Sequence, residues 1–109
     1  MDGLSAVVAG LPDGTVAISL AGDLDIATRG RLKASVREAL RSFSPTTIIV
    51  DLGRVEMLDS AGIGALVHCW KLCRSAGCAL ALRNPSRLAY WQLELTGLLD
   101  VFDVPRATL

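Results

Sequence analysis

The sequence predicts a single α/β domain, with a mixed, mostly parallel sheet, an N-terminal β-hairpin and helices packed against it. Three observations predict this. Short apolar segments are repeatedly separated by amphipathic stretches of ten or more residues, the connection that parallel strands require. The first two strand-like segments are instead joined by Pro12-Asp13-Gly14, a tight-turn signal in which proline fixes φ and glycine permits positive φ. Finally, 109 residues, 51% of them hydrophobic and 20% charged, suffice for one packed core and no second domain. The core is expected over residues 4–104, followed by a short tail.

The elements follow in order. Leu4–Ala9 alternates weakly, and Thr15–Leu20 places Val16, Ile18 and Leu20 on one face, giving the hairpin. Gly22-Asp23-Leu24-Asp25 is expected to break the second strand. Leu32, Val36, Ala39, Leu40 and Phe43 then recur at helical spacing, so an amphipathic helix is expected, capped near Asp25 or Thr28 and ended before Pro45. Thr46–Leu52 contains a β-branched run suited to a central strand buried on both faces. Asp59-Ser60 opens a second helix carrying Ile63, Leu66, Val67, Trp70 and Cys73, with Gly77 placed to close it. Cys78–Leu82 reads as a short strand, and Ser86 as the cap of a third helix lined by Leu88, Trp91 and Leu95. Leu98–Val104 is expected to supply a last short strand; Pro105–Leu109 carries too little apolar content to predict structure.

Charge and run length exclude several classes. Eleven basic and eleven acidic residues balance, which removes the electrostatic case for nucleic acid and for anionic membranes. Mean hydropathy is +0.46, yet no uncharged apolar run approaches the ~18 residues of a spanning helix. No basic residue precedes an apolar segment at Met1-Asp2-Gly3-Leu4, so no secretory signal is read, and a soluble cytosolic domain is expected.

Cys69, Cys73 and Cys78 read as buried reduced thiols. Zinc would need two further ligands, and His68 points about 100° away from Cys69 around a helix. Neither a metal nor a cofactor is expected. Trp70 and Trp91 read as core residues, and Arg29, Arg31, Lys33, Arg37 and Arg41 as a solvated helix face.

The segment Val50–Gly64 stands apart: a buried strand is expected to end at Leu52, a short loop to follow, and a serine then sits at the start of a helix. Open α/β sheets place their sites in the crevice beyond the carboxyl ends of strands. Ser60 reads either as a helix N-cap or as a functional hydroxyl. Gly62 and Gly64 favour function: each weakens the first turn by up to ~1 kcal/mol relative to alanine and leaves the backbone approachable. Asp59 adds a charge beside the hydroxyl. A catalytic role is not expected: the surroundings lack the Gly-x-Ser-x-Gly elbow, and His68 lies about 12 Å of helix rise away. No Gly-Lys-Ser/Thr follows the glycines, so no phosphate-binding loop is present. Ser60 then reads as a substrate for phosphorylation, which would add roughly −1.5 to −2 charges at a helix end that tolerates anions. A partner packed against Gly62 and Gly64 would meet a new dianion reinforced by Asp59 and Asp23.

Gly22-Asp23-Leu24-Asp25, Asp59-Ser60-Ala61-Gly62-Ile63-Gly64 and Leu93-Glu94-Leu95-Thr96-Gly97-Leu98 together resemble the STAS-domain anti-sigma factor antagonists, over about Leu4 to Val104. The resemblance implies a non-enzymatic protein that binds an anti-sigma factor and frees its sigma factor. It implies that the anti-sigma factor is also a serine kinase acting on Ser60, and that a PP2C-type phosphatase reverses the modification. It places Asp23 near that serine and Gly62, Ile63 and Gly64 at the partner surface. Two departures stand out. Ala61 occupies a position where many members carry a second hydroxyl, and members commonly end in a further helix, so one sheet face is expected to be less covered here. The alternatives are a STAS-type module binding a nucleotide or other small ligand, with Ser60 lining the pocket, and a scaffold subunit of a sensory complex.

Overall fold

The structure is a computed structural model and describes residues 3–106. Its elements are β1 (Leu4–Gly10), β2 (Thr15–Leu24), α1 (Arg29–Phe43), β3 (Thr47–Leu58), α2 (Ser60–Ser75), β4 (Ala79–Arg83) and α3 (Arg87–Leu95). The strands form one sheet in the order β1-β2-β3-β4. β1 pairs antiparallel with β2 through the expected hairpin, and both other pairings are parallel.

Alternation decides which face is covered. Val16, Ile18 and Leu20 of β2, Ile48, Val50 and Leu52 of β3, and Leu80 and Leu82 of β4 are buried. Leu32, Val36 and Ala39 of α1 and Ala65, Leu66, Cys69 and Cys73 of α2 join them in the core, each buried Leu, Ile or Val side chain contributing about 1.5–3 kcal/mol. The opposite sheet face is only partly covered: Val7 and Ser19 are exposed, and Ala17, Thr47 and Ile49 half-buried. No helix among the described residues is long and apolar enough to cross a membrane.

The helix ends follow the expected chemistry. Ser44, at φ 45°, closes α1 ahead of Pro45. Ser86 Oγ accepts from Ala89 N at 3.2 Å, and Gly77 follows α2 at φ 71°. Thr28 precedes α1 without a side-chain cap bond to it. Asp25 Oδ1 instead receives the N–H groups of Ala27 and Thr28, at 2.9 and 3.1 Å.

Four expectations are corrected. First, β2 does not break at Gly22. It runs on to Leu24, because Gly22 adopts φ 109° within an irregular register and lies so close to Gly3 that a Cβ would sit 2.0 Å from the Gly3 carbonyl oxygen. Second, β3 does not stop at Leu52: the stretch read as a loop pairs with β2 through Arg54, Val55, Met57 and Leu58. Third, Leu98–Val104 is no strand. Bonds from Phe102 N to Leu98 O and Val104 N to Leu99 O curl it into turns that bury Leu99, Phe102 and Val104, with one bond to β4 from Leu82 N to Phe102 O. Fourth, α3 buries Ala89 and Leu93, not the Leu88-Trp91-Leu95 stripe; Trp91 is 54% exposed and Leu95 64%. Ser86 Oγ also donates to Val55 O, which fixes the start of α3 against β3, and the small Ala89 permits the close approach. Trp70 is half-buried against the core with the Arg74 guanidinium 4.7 Å above its ring. Of the expected tail, residues 107–109 lie outside the described residues.

The start of α2 is fixed to the end of β2. Asp59 N donates to Leu24 O at 3.3 Å, and a Cβ on Gly62 would lie 2.2 Å from that same carbonyl oxygen. Gly62 is therefore glycine for internal packing. Gly64, one turn position further on, has open space around it. Replacing each with alanine should have opposite effects. Gly62→Ala should destabilise by about 1–3 kcal/mol, since backbone must move, whereas Gly64→Ala should stabilise by up to ~1 kcal/mol through helix propensity; urea denaturation of the two variants measures both signs.

Burial pushes the Cys69 thiol up to about 11 and the Cys73 thiol up to about 12. Their protonated forms are favoured in the folded chain, so this contribution is complete at pH 8. It is lost as pH rises past the ordinary thiol value, because the unfolded chain ionises first. Between pH 8 and pH 10 stability should fall by about 1 kcal/mol less in Cys73→Ala than in the unmodified chain, read from denaturation midpoints at both pH values.

Candidate functional site

The carboxyl ends of β2 and β3 converge on the first turn of α2. Asp23 is the second-last residue of β2 and pairs with Met57 of β3. Its backbone is held from both sides: Asp23 N donates to Gly3 O at 2.6 Å, and Asp23 O accepts from Thr28 Oγ1 at 2.7 Å. Thr28 is itself buried and receives Asp25 N on the same hydroxyl, at 3.0 Å, so the chain leaving β2 is tied down by short polar bonds. Asp25 is thereby assigned a structural task, as expected of a turn residue.

The reading of Ser60 as an N-cap is overturned. Asp59 is the cap: its extended backbone, φ −101° and ψ −178°, lets Oδ1 accept from Gly62 N at 2.8 Å, while Asp59 O takes Ile63 N at 2.9 Å. Aspartate also favours the positive end of the helix dipole. Ser60 is consequently the first helical residue. Its side chain is exposed, and among the described residues its hydroxyl makes no hydrogen bond. His68, the one histidine of the chain, is turned to another contact: its Nε2 lies 3.4 Å from the Arg37 guanidinium.

The predicted residues occupy distinct places. Asp59 and Ser60 open α2, with Ile63 half-buried against the core and Gly64 exposed. Gly62 is buried beneath them against Leu24, so its side of the turn faces inward. The Asp23 carboxylate is half-buried over Gly3 and makes no bond to Ser60; what joins the two segments is the neighbouring Leu24 carbonyl. Asp23, Asp25, Glu56 and Asp59 all lie at this end, giving it an acidic character.

Two residues at this end were missed in the sequence. Met57, 52% exposed, and Ile26, 66% exposed, flank Asp23 and add apolar surface beside the acids. Met57 escaped because its segment reads as a loop, and Ile26 because an isolated apolar residue in a turn carries no periodicity. Shallow grooves exist elsewhere, one lined by Ala27, Thr28, Arg31, Ala34 and Ser35 and one by Arg87, Leu88, Tyr90 and Trp91; neither includes Ser60. The three cysteines are buried, and burial raises each thiol's pKa, the behaviour of inert core thiols.

Comparison with known proteins bears on this geometry. The family described as "Mlab, STAS domain" matches residues 7–104. The chain is 23% identical over 91 residues to the anti-sigma F factor antagonist of Paenibacillus polymyxa, covering 84% of this chain and 78% of that one. It is 29% identical over 87 residues to the anti-sigma-B factor antagonist of Listeria monocytogenes, covering 80% and 75%. Among solved structures, it resembles the anti-sigma factor antagonist SpoIIAA in its unphosphorylated form, with TM-score 0.73, 26% identity and coverage of 86% and 82%. The phosphorylated form of Bacillus SpoIIAA superposes with TM-score 0.67 at 26% identity, covering 86% and 85%. The four-stranded mixed sheet, the Asp59-Ser60 helix start and the match over residues 7–104 lead to one conclusion: this chain belongs to the STAS-domain family.

Proposed function

We propose that this chain is an anti-sigma factor antagonist, a non-catalytic cytoplasmic protein that binds an anti-sigma factor and so releases a sigma factor. Its partner is also a serine kinase, phosphorylation of Ser60 switches binding off, and a PP2C-type phosphatase restores it. The observation that carries this reading is the free, exposed Ser60 hydroxyl at the first position of α2, left unused because Asp59 performs the capping. The names of the relatives, and the existence of a phosphorylated form of SpoIIAA, support the same reading.

The proposed mechanism is electrostatic. A partner lies over Ser60, Ile63 and Gly64 and reaches Asp23 and Asp59, while Met57 and Ile26 add apolar contact. Gly62 holds this surface in register from below. A phosphoryl group on Ser60 sits at the positive end of α2, where free N–H groups favour an anion, so the fold survives. The partner, by contrast, meets roughly −1.5 to −2 new charges next to Asp59, which penalises binding alone.

Incubation with Mg-ATP and the serine kinases of the source organism, followed by phosphosite mapping, should place one phosphate on Ser60 and none on Ser60→Ala. Absence of phosphate with every such kinase would sink the switch and favour a ligand-binding or scaffold module. Ser60→Glu should leave the unfolding free energy from urea denaturation within about 0.5 kcal/mol of the unmodified chain while weakening the partner complex at least tenfold; an unchanged affinity would remove Ser60 from the interface.

A further inference from the structure

The α1–α2 side of the molecule concentrates positive charge that the Ser60 region does not use. α1 holds Arg29, Arg31, Lys33, Arg37 and Arg41 against Glu38 alone, and α2 holds Lys71 and Arg74 with no acid. Two helices of a chain with net charge zero thus carry +6, and the remainder carries −6. α1 packs against α2, and the two helices bring Lys33 and Arg37, one turn apart, towards His68 and Lys71, also one turn apart. Arg37 donates to His68 Nε2 at 3.4 Å; a guanidinium cannot accept, so this contact requires a neutral imidazole with its proton on Nδ1. Burial, together with the charges of Lys33, Arg37 and Lys71, holds His68 below its ordinary pKa.

Two of the neighbouring charges are already engaged. Arg41 pairs with Glu38 at 3.0 Å, and Arg74 stacks over Trp70. Among the described residues no carboxylate pairs with Lys33, Arg37 or Lys71. Like charges held this close weaken the free protein, and a counter-charge from another molecule removes that penalty.

We propose that the seam of Lys33, Arg37, His68 and Lys71 is a docking surface for an acidic segment of a partner protein. Three unneutralised cations suit a short run of carboxylates. Firm nucleic-acid binding engages about 6–10 phosphates, and anionic lipid recognition uses clusters of about 4–8 basic residues. The −6 carried by the rest of the chain also repels a long polyanion. Lys71 lies about 16 Å along α2 from Ser60, beyond the ~8 Å screening length at physiological salt, so this surface acts whatever the state of Ser60.

The test is an NMR titration of the full 15N-labelled chain with a decaglutamate peptide at low salt. Shifts should cluster at Lys33, Arg37, His68 and Lys71 and weaken as salt rises. The triple variant Lys33→Gln/Arg37→Gln/Lys71→Gln should bind about tenfold more weakly, with the His68 titration midpoint moved upward, while Ser60→Glu binds decaglutamate unchanged. Shifts that are absent, scattered over the surface or indifferent to the triple variant overturn the proposal. So does tighter binding of a thymidine decanucleotide or of phosphatidylglycerol vesicles to the same residues, which would assign the seam to nucleic acid or membrane instead.

Discussion

The rest of this structure depends on one close approach, that of the first turn of α2 to the Leu24 carbonyl at the end of β2. Asp59 N bonds to that oxygen, and only a glycine at position 62 leaves room for the helix to come so near. β2 is in turn held in place by Gly22, whose positive φ and contact with Gly3 carry the strand past what would otherwise be a break. Two glycines far apart in sequence therefore bring Asp23, Met57 and Ser60 to one end of the sheet. A side chain at either position would move the helix start relative to the strand and dissolve the shared surface.

The division of labour between adjacent residues explains how that surface stays available. Capping a helix and presenting a reactive hydroxyl are competing uses of one side chain, since a capping oxygen is turned into the helix to accept an N–H. Asp59 takes the first task and frees Ser60 for the second. Charge is likewise distributed unevenly: Asp23, Asp25, Glu56 and Asp59 lie at the ends of β2 and β3 and the start of α2, while α1 and α2 together carry +6 in a chain of zero net charge.

Local chemistry was legible wherever it is decided by neighbours in sequence. The hairpin at Pro12-Asp13-Gly14, the Ser86 cap, the stop before Pro45 and Gly77 after α2 depend on φ preferences and short-range hydrogen bonds, and each stands where it was expected. The parallel order of β2, β3 and β4 was legible for a related reason: helical connections of this length allow little else. The buried faces of α1 and α2 followed from their apolar stripes because each is long enough for periodicity to accumulate.

What the sequence by itself determined, then, was the succession of elements, the mixed sheet and the candidate serine. Tertiary structure decided the rest. Gly53–Leu58 is strand only because β2 extends alongside it, and Gly22 reads as a breaker until Gly3 is seen beside it. α3 is nine residues long with apolar groups on more than one side, so its contact with β3, not its own pattern, chose Ala89 and Leu93 over Trp91 and Leu95. Asp59 and Ser60 are equally good caps by residue type, and the hydrogen bond from Asp59 N to Leu24 fixed where the helix begins. In each case the deciding partner lies far away along the chain, and a preference of order 1 kcal/mol in the local sequence yields to a steric or hydrogen-bonding contact that only the folded chain can make.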